Sequence, residues 1–324
     1  MAFAGWYPPL AIAVCRAGGI GCIGAPLLPP PAVRELAQAM KGADAGPFNM
    51  GFLTNFDHDA QVRICAEERV PVVTFHWGHP SSELIKVLKD AGCDVWEQVG
   101  SVEQARRALG DGVVGIVVQG HEAGGHNLNG RKDDGMGLFA LLPTMRDALG
   151  DQAMLLASGG VADGRGVAAA LQLGADAVWV GTRMVATAEA NVHEEHKRRL
   201  VAATGADTVY SWIFGNEDPG FNPIRLLRTE VVREWNHRLG EVPFQAADRP
   251  VIGKTVLGGE PVDLRKFDRL LPTPDTTGDW EEMAFLSGQG VGLIHDVAPA
   301  GEVVERMMGE AAALLAKGVG VRAP

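Results

Sequence analysis

Residues Val113 to Asn127 read V-V-G-I-V-V-Q-G-H-E-A-G-G-H-N. The first six are apolar and mostly β-branched, without alternation, which is the pattern of a strand buried on both faces. The remainder is glycine-rich and polar, and it carries His121, Glu122 and His126. Parallel α/β enzymes bring catalytic groups to the C-terminal end of a sheet on such strand-to-loop units. Two further units repeat the pattern, Leu155 to Ser158 before Gly159-Gly160 and Ala177 to Val180 before Gly181-Thr182. The three read as neighbouring strands of one parallel barrel whose C-terminal ends face a shared ligand.

Working outward, predicted strands and helices alternate at short spacing, the signature of parallel βαβ units. Helices are predicted over 9–17, 31–41, 58–68, from Ser81 or Ser82 to Gly92, from a Ser101 cap to Gly110, and over 138–149, 163–173 and 188–203. Seven strands can be counted, near residues 22, 50, 72, 96, 116, 156 and 179. The expected fold is an α/β (β/α)8 TIM barrel over residues 1–203, one strand short. The deficit lies at the front, where Met1 to Ala4 is a stub of strand one or the chain begins later than its relatives do. From 204 to 290 the pattern breaks into prolines and short amphipathic pieces, including D-P-G-F-N-P at 218–223 and P-T-P at 272–274. That stretch reads as an added, mainly helical lobe over the substrate. Residues 291–324 read as a closing segment whose helix, 299–317, packs back on the barrel.

At 324 residues, with 46% hydrophobic and 21% charged, the chain can bury a sizeable core. A net charge of −11 with no basic run excludes a nucleic-acid groove. The four cysteines, Cys15, Cys22, Cys65 and Cys93, form no C-x-x-C pair and read as buried thiols. No apolar run has the length of a membrane span, and no secretion signal opens the chain, so a cytoplasmic protein is expected.

The chemistry-bearing residues gather at the strand ends. Gly159-Gly160 and Gly181-Thr182 lie where barrels of this kind bind phosphate through backbone N–H groups, and glycine permits that close approach. His126 has a ring able to take a proton from a carbon acid near neutral pH, and Gly124-Gly125 would let it sit close over a flat ligand. Glu122 fits a role accepting backbone N–H bonds, and His121 reads as exposed. Asn55 and Gln98 end strands, where an amide can bond a heteroaromatic ring or cap a turn. The spacings His76/His79 and His121/His126 lack a third ligand and there is no H-E-x-x-H, so no metal is expected. Gly18-Gly19-Ile20-Gly21 precedes a strand rather than coming after one, which argues against a dinucleotide site.

Taken together, G-G-I-G-C-I-G-A (18–25), G-F-L-T-N (51–55), Q-G-H-E-A-G-G-H (119–126), A-S-G-G-V-A-D-G-R-G (157–166), V-G-T-R-M (180–184) and S-G-Q-G-V-G-L-I (287–294) resemble the nitronate monooxygenase family, formerly 2-nitropropane dioxygenase. Its members are FMN-dependent TIM-barrel enzymes, and the same superfamily includes NADH:quinone reductases and the flavin-type enoyl-acyl-carrier-protein reductase. The resemblance implies FMN across the barrel mouth with His126 as catalytic base. It places Gly159, Gly160, Gly181 and Thr182 on the FMN phosphate and Asn55 and Gln98 near the isoalloxazine. Gln119, Gly124, Gly125 and Ser158, from the same motifs, join the cofactor site. Met1-Ala2 would match the tail of a P-M-A-like first-strand segment whose backbone lies against the flavin. Some relatives carry Lys at the position of Gln98, so a neutral group faces the flavin here.

The implied activity is oxidation of nitronates or nitroalkanes with O2. The alternative is an NAD(P)H-dependent flavin reductase acting on a quinone or enoyl thioester. The non-catalytic alternative is a phosphate-ligand binding protein on a decayed barrel. The implied partners are a nitronate or other small electrophile, O2 and, for the reductase, NAD(P)H; a homodimer is compatible with each.

Overall fold

Strand and helix alternate through the first two thirds of the computed structural model, which describes residues 5–25, 28–128, 135–215, 223–257 and 260–317. The order is α1 (Pro8–Arg16), β1 (Gly21–Gly24), α2 (Pro30–Gly42), β2 (Phe48–Leu53), α3 (Asp59–Glu67), β3 (Val72–His76), α4 (Ser82–Asp90), β4 (Asp94–Val99), α5 (Val102–Asp111) and β5 (Gly115–Gln119). A two-residue strand β6 (Gly125–His126) precedes α6 (Leu138–Leu149), β7 (Met154–Ser158), α7 (Gly164–Gln172) and β8 (Ala177–Trp179). Local chemistry explains several boundaries. Ser81, Ser101 and Asp163 each accept a backbone N–H from the first turn of α4, α5 and α7. Gly112, at φ +97°, ends α5 in the left-handed region.

The strands form one sheet in the order β1-β2-β3-β4-β5-β7-β8, parallel throughout. These are the seven strands counted in the sequence. Among the described residues β1 and β8 are the sheet's two edges, and the expected stub Met1 to Ala4 lies outside those residues. The sheet is buried on both sides with a period of two. Val73, Phe75, Val95, Ile116, Val118, Leu155 and Ala157 pack outward into the core beneath the helices. The alternate positions Val72, Trp96, Val117 and Leu156, with Trp179, fill the inner face.

Two expectations need correction. The helix expected over 188–203 is shorter: α8 (Thr182–Val185) ends before it, within it only α9 (Glu194–Ala202) is helical, and the His193 ring caps α9 by accepting the Glu195 N–H at 3.0 Å. Residues 204–290 are not a mainly helical lobe. Apart from α10 (Glu230–Trp235) and short 3-10 turns, its regular structure is two small sheets. One joins β9 (Thr208–Ser211) and β10 (Ile224–Leu227) to β6; the other joins β11 (Val251–Leu257), β12 (Glu260–Arg265) and β13 (Thr277–Gly278). The β-branched run V-I-G-K-T-V-L forms a strand because it pairs antiparallel with β12. The closing helix α11 (Ala300–Ala316) lies on α7. Gly164 permits that approach, since a Cβ there would meet Glu310 Cβ at 2.5 Å, and its N–H donates to Glu310 Oε2 at 2.8 Å.

Candidate active site

The inner positions at the C-terminal ends of the central strands are polar. His76 Nδ1 lies 3.1 Å from Gln98 Oε1, and burial pushes the His76 pKa down to about 4. Gln98, Gln119 and Ser158 are buried. Gln119 spends both ends of its amide on its own loop, donating to the His126 carbonyl at 2.9 Å and accepting from the Leu128 N–H at 3.1 Å. The same loop is tightened by Asn127, which donates to the Gly120 carbonyl at 3.0 Å, and by the Gly120 N–H donating to the Ser158 carbonyl at 2.8 Å.

The lobe holds this loop from the other side. In β6 Gly125 pairs with Arg225 and His126 with Ile224 of β10. The His121 carbonyl accepts from Tyr210 Oη at 2.7 Å and from Arg225 Nε at 3.2 Å, and the Arg225 guanidinium stacks 4.1 Å over the Tyr210 ring. His121, expected to be exposed, is half-buried with its ring 4.5 Å from that of Tyr210. Nothing in the sequence marks Arg225 or Tyr210 as functional candidates. Glu122 does accept a backbone bond: both its carboxylate oxygens lie 2.9 Å from the Leu138 N–H, at the start of α6.

Four segments meet beside His126. A Cβ at Gly124 would come within 2.5 Å of the Gly288 nitrogen, and one at Gly290 within 2.5 Å of the Gly160 carbonyl oxygen. Gly288 donates to Thr182 Oγ1 at 3.0 Å, and Gln289 donates to the Glu122 carbonyl at 2.9 Å. Loops 120–125, 158–160, 181–182 and 287–290 therefore form one cradle. The last carries the motif S-G-Q-G, to which the sequence alone assigns no role. Gly159 (φ +111°) and Gly160 (φ +73°) occupy conformations that glycine adopts freely. Among the described residues no backbone carbonyl accepts from the N–H groups of Gly159, Gly160 or Gly181. Unspent donors on a glycine cradle are what an anionic oxygen group such as phosphate requires. Asn55 is exposed in the turn after β2, apart from these loops, and Met1 and Ala2 lie outside the described residues.

His126 follows Gly124-Gly125 directly, at the end of the first of these loops. Burial, with the charge of Arg269 adding to it, pushes its pKa down to about 3, so its imidazole is neutral at physiological pH. The neutral ring is the form that can accept a proton.

The fold and cradle fit a class, the flavin-type oxidoreductases on a parallel (β/α) barrel, and the comparisons with known proteins point to it. A family model described as nitronate monooxygenase matches residues 49–310. Nitronate monooxygenase npaC of Metarhizium robertsii is 33% identical over 347 residues, covering 95% of this chain and 88% of that protein. FabK from Thermotoga maritima superposes with a TM-score of 0.76 at 32% identity, covering 98% of this chain and 92% of that one. A nitroalkane oxidase from Streptomyces ansochromogenes superposes with a TM-score of 0.78 at 26% identity, covering 98% and 95%. The chain belongs to the nitronate monooxygenase family. Among the described residues no helix is long and apolar enough to cross a membrane.

One stability prediction arises at the lobe junction. His196 is wholly buried, its Nε2 lies 3.2 Å from the Leu286 carbonyl oxygen, and burial pushes its pKa down from 6.5 to about 4. The unfolded chain protonates this ring first as pH falls, so the neutral buried form stabilises the fold above about pH 6.5. That contribution, about 3 kcal/mol, is lost as pH falls from about 6.5 towards 4. His76 and His126 act in the same direction. Urea midpoints should therefore drop between about pH 7 and pH 5, and less steeply in His196→Gln. A flat wild-type midpoint would contradict this.

Proposed function

We infer that this protein oxidises nitronates, and nitroalkanes by way of their conjugate anions, with FMN as cofactor and O2 as electron acceptor. The observation that carries the reading is a neutral imidazole, His126, on the loop that helps build a cradle of unspent glycine N–H groups, in a chain of this family. Gly159, Gly160, Gly181 and Thr182 would hold the FMN phosphate, with Gly124, Gly125 and Ser158 shaping the wall beside it. Gln98, whose oxygen faces His76, has its amide N–H groups left to offer the isoalloxazine. Asn55, exposed in the turn after β2, would be a further contact for the isoalloxazine. Bound FMN supplies the redox chemistry.

The chain's own part is binding and proton transfer. His126 takes the proton from the carbon that bears the nitro group, or positions a nitronate that arrives ionised. Its low pKa makes it a weak base, so proton transfer depends on the product anion staying beside the new imidazolium. The Arg269 cation that acts on the ring favours such an anion in the same space. Oxygen uptake with a nitronate as sole reductant tests this reading.

A further inference from the structure

Contacts of three kinds pin the turn that leaves β3. Thr54 donates to the His76 carbonyl from its N–H at 3.1 Å and from its hydroxyl at 3.2 Å. Gly78 sits so close that a Cβ there would come within 2.4 Å of Thr54 Oγ1. His79 is held by both ring nitrogens: Nδ1 lies 2.7 Å from Glu97 Oε2, and Nε2 lies 2.7 Å from Asp111 Oδ2. Glu97 is buried on the outer face of β4, and Asp111 ends α5. Between the pinned ends lies Trp77 at φ +67°. That left-handed conformation is strained for a bulky residue and persists only where its surroundings over-determine it. The indole so placed packs against the His126 ring in an edge arrangement, with ring centroids 4.3 Å apart and planes at 63°.

We propose that Trp77 is a positioning residue for His126, and that the clamp of His79 between Glu97 and Asp111 keeps the indole in place. The inference rests on the reading of His126 as base. The indole restricts the imidazole to one orientation and covers that side against water. Loss of the clamp lets the turn relax to an unstrained conformation and withdraws the indole. The base then samples orientations that do not meet the substrate carbon, while a nitronate, already deprotonated, is little affected.

The test is a double-mutant cycle read as the ratio of kcat/KM on a neutral nitroalkane to kcat/KM on its nitronate, in flavin-loaded protein. Trp77→Ala should lower that ratio by about tenfold, since small misplacements of reacting groups cost factors of this order or more. Trp77→Phe should restore most of it. His79→Ala should lower it in the same direction, and His79→Ala combined with Trp77→Ala should be no worse than Trp77→Ala alone. Equal losses on both substrate forms, or losses that multiply in the double variant, would overturn the proposal. Asp111 is partly exposed, with 35% of its side-chain surface accessible, so Asp111→Asn loosens the clamp without burying an unpaired group. If His79→Ala does not fold, Asp111→Asn with Trp77→Ala completes the cycle and the same outcomes decide. Failure of the parent reading shows differently, as an unchanged ratio in His126→Ala, and removes the proposal with it.

Discussion

His126→Ala is expected to lower kcat/KM on a neutral nitroalkane by about 10²–10⁴-fold, the usual worth of a positioned general base. A neutral nitroalkane must lose a carbon-bound proton before oxidation, whereas a nitronate arrives without it. The loss on the nitronate should therefore be clearly smaller and reflect positioning alone. Flavin content should be unchanged, because the cradle of Gly159, Gly160, Gly181 and Thr182 does not include the imidazole. The measurement is kcat/KM for both forms of one substrate, wild type against variant, at one pH. Equal losses would reduce His126 to a binding group, and no loss on either form would move the chemistry off this loop.

The second large effect is loss of flavin from the cradle variants. Gly160→Val places a branched side chain where phosphate oxygens would meet N–H groups, but it also strains a backbone at φ +73°. Gly181→Val separates the two effects. Gly181 has a negative φ of −105°, so its substitution blocks the cradle without left-handed strain. Both variants should purify with at least about tenfold less flavin than wild type, since a phosphate that loses its backbone donors loses several charge-assisted hydrogen bonds. Gly181→Val should keep its fold by circular dichroism. Full flavin in Gly181→Val would show that the phosphate is held elsewhere.

The barrel is legible in the sequence because each of its elements carries its own pattern. The strand F-N-M-G-F-L and the helix from Leu138 to Leu149 stand at the boundaries their periodicity predicts. Ser81 and Ser101 cap their helices as the sequence indicates. The lobe is harder to read because prolines between 218 and 274 mask a hairpin signal that is nonetheless present. The β-branched V-I-G-K-T-V-L and the alternating E-P-V-D-L-R flank Gly258-Gly259.

The site is legible only in part. Loop glycines and His126 announce themselves within one motif. Arg225 and Tyr210 act on the His121 carbonyl from about a hundred residues away, through a pairing of β6 with β10 that no local pattern encodes. Trp77 reads as any aromatic after a strand, and only its φ and its contact with His126 give it a role. Gln119, assigned to the cofactor from its motif, turns its amide to its own loop, a choice fixed by tertiary register.

Oxidation of a nitronate by the flavin-loaded protein, with no other reductant, is tested most directly by steady-state oxygen uptake after adding a nitronate in the absence of NAD(P)H. Uptake should saturate with nitronate and be largely retained in His126→Ala. No uptake with any nitronate, together with flavin-dependent oxidation of NAD(P)H by a quinone or enoyl thioester, would contradict the proposed function.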